Sequence, residues 1–274
     1  MATHGCGQCT SCRINKRRLW VHRIMLEKRL HEKSCFLTLT YDDAHHPTGG
    51  SLVPSHYQKF VRSIRKDFPI RYFFVGEYGD HSNRPHYHAA MFGLDETDSD
   101  YLRRKWGKGH IMCGTLTDES AQYVAGYVVK KLTNGNDPYV RARLGGRHPE
   151  FARMSLKPGI GAGAVRSIAD VLESDFGPDV LQQFDGVPPV LRHGSKMLPL
   201  GRYLKKRLQD EILFKKKLAP SAQDWERALE ERLQLQAVKE SPYESDSVAY
   251  QKINGQKLLQ IEGKSKIWSK KVSI

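Results

Sequence analysis

The sequence predicts an α+β fold: a central antiparallel sheet with helices packed on it, continued by a helical C-terminal extension. Three observations carry that reading. From residue 13 the hydrophobic pattern runs helix, strand, helix, strand, strand, strand, helix. The turn DHSNR is hairpin-short, so the strands it joins are antiparallel neighbours, and the helices are expected on one face of the sheet. Hydrophobic residues make up 39% of the 274 positions and charged residues 27%, the balance of a globular chain with a full core.

Each element has its own signal. Residues 13–33 read as a helix because Leu19, Trp20, Ile24, Leu26 and Leu30 recur mainly at helical spacing. CFLTLTY alternates as a strand, with Phe36, Thr38 and Thr40 on one side and Leu37, Leu39 and Tyr41 on the other. After the turn DDAHHPTGG, SLVPSHYQKFVRSIRKDF starts a second helix at Pro54 and Ser55, with Phe60, Val61 and Ile64 inward. IRYFFVGEYG and HYHAAMFGL form the hairpin, and GHIMCGTLT adds a strand after an acidic segment. LTDESAQYVAGYVVKKL is a helix that Thr117 caps. Beyond it the chain reads as a long glycine-rich loop, with helices over 162–174, 200–216 and 221–239. The expected divisions are a Cys-rich segment and helix (1–33), a core (34–135), a loop-rich and helical extension (136–240) and a basic tail (241–274).

Lysine and arginine total 44 against 30 aspartate and glutamate, a net charge of +14. That excess favours a polyanionic partner, because basic side chains displace condensed counterions from phosphates. It is concentrated in RINKRRLWVHR, RYLKKRL, FKKK and KSKIWSKK, each cluster holding or adjoining aromatic residues. No run of about 18 apolar residues spans a bilayer, and MATHGCGQCT lacks the apolar stretch of a signal peptide. A membrane is therefore not expected as a partner, and the cytoplasm is the expected compartment.

In RPHYHAAMFG the strand period places His86 and His88 on one face and Tyr87 on the other. Alone, such a pair reads as solvent-facing residues. Glu77, at the end of the preceding strand, is folded back beside them by the hairpin. One carboxylate with two imidazoles makes a three-ligand set with open positions, suited to Mg²⁺ or Mn²⁺. On the later helix Tyr123 and Tyr127 are an i, i+4 pair, one turn apart. Taken alone they are a packing pair; beside Glu77 and HYH they read as nucleophiles, provided the phenolate is stabilised. Cys6, Cys9 and Cys12 have spacing compatible with a structural Zn²⁺ whose fourth ligand would be His4, His22 or Cys35. The alternative is reduced thiols packed against the first helix.

CGQCTSCR, FLTLTYDD, GEYGDHSNRPHYHAAMFG, YVAGYVVKK and EFARMSLKPGIG, in this order over residues 6–161, resemble the HUH endonuclease superfamily. The similarity points to the replication initiators of microviruses, small single-stranded DNA phages of the gokushovirus type. The resemblance implies an RRM-like sheet and a rolling-circle initiator that nicks origin DNA through a 5′-phosphotyrosine link and later religates the displaced strand. It implies His86, His88 and Glu77 as metal ligands, and Tyr123 and Tyr127 as catalytic residues with Lys130 completing a YxxK pattern. Gly126 stands where the family often has a second lysine, which favours Tyr127 as nucleophile. Thr38 and Thr40 of FLTLTYDD, and Arg84, are candidate DNA contacts. The chain carries no GxxxxGK[ST] motif, so a host helicase and DNA polymerase are expected partners in the bacterial host cytoplasm. The rival reading is a non-catalytic binder of single-stranded nucleic acid, gripping bases through Tyr72, Phe74 and Tyr87.

Overall fold

A computed structural model describes residues 9–79, 82–127, 138–174, 177–184, 186–193 and 195–216. The predicted helix over 221–239, the basic tail, Cys6 and Lys130 lie outside them. The chain groups into two compact units. Residues 16–168 with 190–204 hold the sheet, and residues 1–15, 169–189 and 205–274 form the other.

The sheet consists of β1 (Ser34–Thr40), β2 (Arg71–Tyr78), β3 (Pro85–Phe92), β4 (Ile111–Thr115) and β5 (Phe151–Met154). Their order is β4-β1-β3-β2-β5, and every neighbouring pair is antiparallel. The helices are α1 (Thr10–Lys28), α2 (Pro54–Ile64), α3 (Ser99–Trp106), α4 (Asp118–Tyr127), α5 (Pro138–Leu144), α6 (Val165–Glu173), α7 (Gly177–Gln183) and α8 (Gly201–Lys216). A second hairpin pairs β6 (Val190–His193) with β7 (Lys196–Pro199). Among the described residues no helix is long and apolar enough to cross a membrane.

The predicted α+β class and the antiparallel hairpin are present, but helices cover both faces rather than one. Leu37, Leu39, Phe74, Tyr87, Ala89 and Met91 form one core with Tyr57, Phe60 and Ile64 of α2 and Leu102 and Trp106 of α3. Phe36, Phe73, Val75, Ala90 and Phe92 form a second core with Val21 and Ile24 of α1 and Val124 and Ala125 of α4. The reason is in the strands: β2 and β3 are apolar at successive positions, so both sides need cover.

Several short elements depart from the expectation. Helix α3 occupies the acidic segment. Asp95 accepts from the Thr97 backbone N–H (3.1 Å), and Asp98 accepts from the Asp95 backbone N–H (3.1 Å), a reciprocal cap. Strand β5 and helix α5 fall where a loop was expected, and α7, β6 and β7 were not expected at all. Four-residue strands carry no readable period, so the partner edge selects them. Helix α1 starts and ends earlier than residues 13–33. The cap on α4 is as predicted: Ser120 N–H donates to Thr117 Oγ1 (3.2 Å), and Thr117 N–H donates to Ser120 Oγ (2.8 Å).

The segment MSLKPGIG, after β5, closes onto α1. Gly161 N–H donates to the buried Glu27 carboxylate (2.6 Å), and Arg23 Nε donates to the Ile160 carbonyl (2.8 Å). Gly161 has φ +80°, and a Cβ there would meet the Arg23 carbonyl at 2.9 Å, so glycine is required twice over.

His22 of α1 is fully buried beneath the β6–β7 hairpin. Its Nδ1–H donates to the Pro199 carbonyl (2.8 Å), which leaves Nε2 to accept from His193 Nε2 (2.8 Å). Burial lowers the His22 pKa to about 4, with the Pro199 hydrogen bond opposing and His193 adding to the shift. In the unfolded chain the ring titrates near 6.5. Between those values the unfolded state binds a proton that the folded state refuses, so stability falls as pH falls. Denaturant melts from pH 7 to pH 4 should show a loss on the order of 2 kcal/mol from this residue. The variant His22→Gln should be less stable at pH 7 and show a flatter acid limb.

Candidate active site

The pairing register assembles the site. Thr38 lies opposite His88 and Thr40 opposite His86 across β1–β3, while Glu77 lies opposite His86 across β2–β3. Residues directly opposite in an antiparallel ladder share a face, so these side chains lie on the α4 side of the sheet. His88 Nε2 is 2.8 Å from Glu77 Oε1, and its Nδ1 is 2.9 Å from Thr38 Oγ1. His86 Nδ1 is 2.7 Å from the Arg84 carbonyl. A carbonyl only accepts, so Nδ1 carries the proton and Nε2 keeps its lone pair, the state of a metal-ligating histidine. His86 titrates below its ordinary value, chiefly through burial; the Arg84 hydrogen bond opposes this and the neighbouring His88 adds to it.

Helix α4 lays both phenols over this patch. The Tyr127 ring stacks on the His88 imidazole, with centroids 5.0 Å apart and planes 4° from parallel. Tyr123 meets His88 edge-on at 5.2 Å and Tyr127 edge-on at 5.0 Å. Phe36 lies nearly parallel to His88 at 5.9 Å. Such ring pairs contribute about 0.5–1.5 kcal/mol each beyond area burial and hold the imidazole plane. Tyr123 is 48% exposed whereas Tyr127 is 8% exposed. The Tyr127 phenol is held well above its ordinary pKa, first by burial, then by the Glu77 charge, then by hydrogen bonding to Tyr123 and Glu77.

Six residues singled out in the sequence thus meet on one face: Thr38, Glu77, His86, His88, Tyr123 and Tyr127. Among the described residues no three His, Cys, Asp or Glu side chains converge as a ready cation site; Glu77 and His88 instead face each other at ion-pair distance. Thr40 donates to the His110 carbonyl (3.4 Å). Arg84 donates to Asp43 (2.9 Å) and to the Tyr41 carbonyl (3.2 Å), so it is engaged within its own hairpin surroundings. Cys9 is exposed and Cys12 half-buried. Two of the proposed fourth zinc ligands have other roles, since both His22 nitrogens are hydrogen-bonded and Cys35 is fully buried in the sheet.

Two contributors were not singled out in the sequence. Phe36 is one, read only as a strand residue. Arg17 is the other: its Nε donates to the Gln122 carbonyl of α4 (3.1 Å), and a Cβ at Gly126 would lie 3.7 Å from that nitrogen. Gly126 therefore leaves room for a guanidinium reaching over from α1, whose basic stretch RINKRR was the available signal. The stacking platform of the rival reading is overturned. Phe74 and Tyr87 are fully buried, and Tyr72 packs against the same core. The Tyr87 hydroxyl is spent on Val53 and Tyr41 (3.0 and 2.8 Å).

Residues 34–132 match the family model of the ORF2-type replication-associated protein. The matched span runs from β1 through α4 and so contains the whole patch. Residues 34–132 form an ORF2-type replication-associated domain. The chain is 33% identical over 156 residues to replication-associated protein VP4 of Bdellovibrio phage phiMH2K, covering 48% of this chain and 50% of that protein. It is 36% identical over 181 residues to replication-associated protein ORF2 of Spiroplasma virus 4, covering 57% and 55%. It is 30% identical over 158 residues to replication-associated protein ORF4 of Chlamydia phage 1, covering 48% and 39%. The aligned regions therefore span about half or less of the length of these relatives. No solved structure matches the chain significantly.

The geometry of the ORF2-type domain makes one spectroscopic demand. The Glu77 charge is a cause of the raised Tyr127 pKa, second to burial. Glu77→Gln should therefore move that phenol down toward its ordinary range without restoring it fully. Ultraviolet difference titrations of Glu77→Gln with and without Tyr127→Phe isolate the signal. An unchanged or higher midpoint would contradict the assigned cause.

Proposed function

We propose that this chain initiates rolling-circle replication by nicking and rejoining single-stranded or melted origin DNA through tyrosine chemistry. The observation that carries the reading is the stack of Tyr127 on His88, with Tyr123 edge-on to both rings and Glu77 at 2.8 Å from the imidazole. Two phenols one helical turn apart above a carboxylate–imidazole pair suit two successive transesterifications. The replication-associated names of the relatives and the net charge of +14 support a DNA substrate.

The donor set fits a hard divalent cation, Mg²⁺ or Mn²⁺. Glu77 offers a carboxylate, while His86 and His88 offer Nε2 with Nδ1 already engaged by the Arg84 carbonyl and Thr38 hydroxyl. When bound, such a cation supplies Lewis-acid polarisation of the scissile phosphodiester and offsets the carboxylate charge. The protein's own groups do the rest. A tyrosine Oη attacks phosphorus, the P–O3′ bond breaks, the phenol's proton is released and the 3′-oxygen takes one up. The 5′-phosphotyrosine ester conserves the bond energy, so resealing needs no nucleotide hydrolysis. Tyr123 is the accessible phenol, while Tyr127 is held against Glu77 and His88, which orders the two without adding further residues. Lys130, the next basic residue after Tyr127 in the sequence, would complete the YxxK pattern. A host helicase and polymerase would provide unwinding and synthesis.

Incubation with single-stranded origin DNA and Mn²⁺ or Mg²⁺ should give a covalent adduct on a denaturing gel. The adduct should vanish in the Tyr123→Phe, Tyr127→Phe double variant, and its survival there would sink the nucleophile assignment. Thr38→Val should weaken Mn²⁺ binding measured by calorimetry by about tenfold or more, with Thr38→Ser restoring it. DNA affinity should fall linearly on a logarithmic salt scale. A flat line would show that the basic clusters do not meet phosphates.

A further inference from the structure

Strand β4 is the open edge of the sheet, and its site-facing side is nearly bare. The register places Gly114 opposite Phe36 and Met112 opposite Thr38, so both lie on the face that carries the tyrosines. Ile111 and Cys113 take the other side and pack into the core. Met112 is 58% exposed, the side chain of an apolar residue held in solvent beside a polar threonine. Gly114 is more telling. A Cβ built there meets no described heavy atom within 4 Å, and no unusual φ calls for glycine at this position. Neither packing nor backbone strain accounts for it. Phe36, its cross-strand neighbour, meets the Tyr123 ring edge-on at 5.9 Å.

These residues outline a flat place on the sheet next to the exposed phenol: bare backbone at Gly114, Phe36 across the ladder, Met112 two residues along the strand. Two residues of strand span about 6.8 Å, which is the width of a flat ring. Glycine in a strand marks a point where another group approaches the backbone closely. Methionine is a flexible, polarisable partner for an aromatic face. The occupant follows from the chemistry at Tyr123. Any phosphate that Tyr123 attacks carries a nucleoside on each side, and one of them must lie beside the phenol. We infer that Gly114, Met112 and Phe36 form a nucleobase subsite that seats the base next to the scissile phosphate against the edge of the sheet. The inference rests on the DNA-nicking reading above and adds the residues that grip the base. Stacking tolerates any base, so the subsite sets position and affinity rather than sequence.

The test separates base contact from phosphate contact. Fluorescence anisotropy would compare a labelled oligothymidylate with an abasic strand of equal length, using the full chain as wild type, Gly114→Leu and Met112→Ala. Wild type should prefer the strand that carries bases. Gly114→Leu fills the open space without strain, and should cut that preference about fivefold or more while leaving affinity for the abasic strand unchanged. Met112→Ala, at an exposed position, should reduce the preference in the same direction. Variants that keep the full preference would overturn the subsite and leave the nicking reading standing. Wild type that binds neither strand would fail the DNA reading itself, and the subsite with it. Equal affinity of wild type for both strands would overturn the subsite alone.

Discussion

Strand β3 is paired along both edges, to β1 and to β2, and the domain depends on the register of those two ladders. The same alignment that puts Ala90 and Phe92 into one core and Tyr87, Ala89 and Met91 into the other also sets His88 between Thr38 and Val75. A slip of one residue would exchange the faces, pushing the histidines into the aromatic core and Tyr87 out of it. Register is thus enforced by burial on both sides, and the position of the imidazoles is a by-product of that enforcement. The site inherits its precision from a hydrophobic constraint.

That inheritance explains how a charged pair is held in a buried place. Glu77 and His88 are each 5% exposed, and removing either charge from water is costly unless the partner answers it. The 2.8 Å contact between them, the Thr38 hydroxyl on the second nitrogen and the parallel Tyr127 ring occupy the imidazole on three sides. The same burial that keeps the pair together holds the Tyr127 phenol neutral. The arrangement is fixed before any substrate arrives, which is the form of preorganisation that positioned catalysis requires. Tyr123, in contrast, sits where solvent and the bare edge of β4 meet, so the two phenols differ in surroundings although they share a helix.

Much of this was legible in residue order. The strand period of HYH separates the imidazoles from Tyr87, and the shortness of DHSNR brings Glu77 back to them, both local facts. The i, i+4 spacing of Tyr123 and Tyr127 and the Thr117 cap are equally local. What stayed hidden had partners far along the chain. FARM became a strand only because β2 offers an unpaired edge, and VLRH with KMLP reads as nothing until the two segments pair as a hairpin. Arg17 contacts a carbonyl of α4 across more than a hundred residues, and no periodicity announces it.

Sequence by itself determined the α+β class, the hairpin that carries the carboxylate and imidazoles, and the residue types available for phosphoryl chemistry. Periodicity, turns and caps are set by neighbours within a few positions, so a linear reading reaches them. Tertiary structure alone decided that helices cover both faces, that Thr38 faces an imidazole, that Tyr127 is buried while Tyr123 is open, and that Gly114 is bare. Those outcomes depend on register and docking between segments distant in the chain, where burial of apolar surface selects one arrangement among many that local preference would allow.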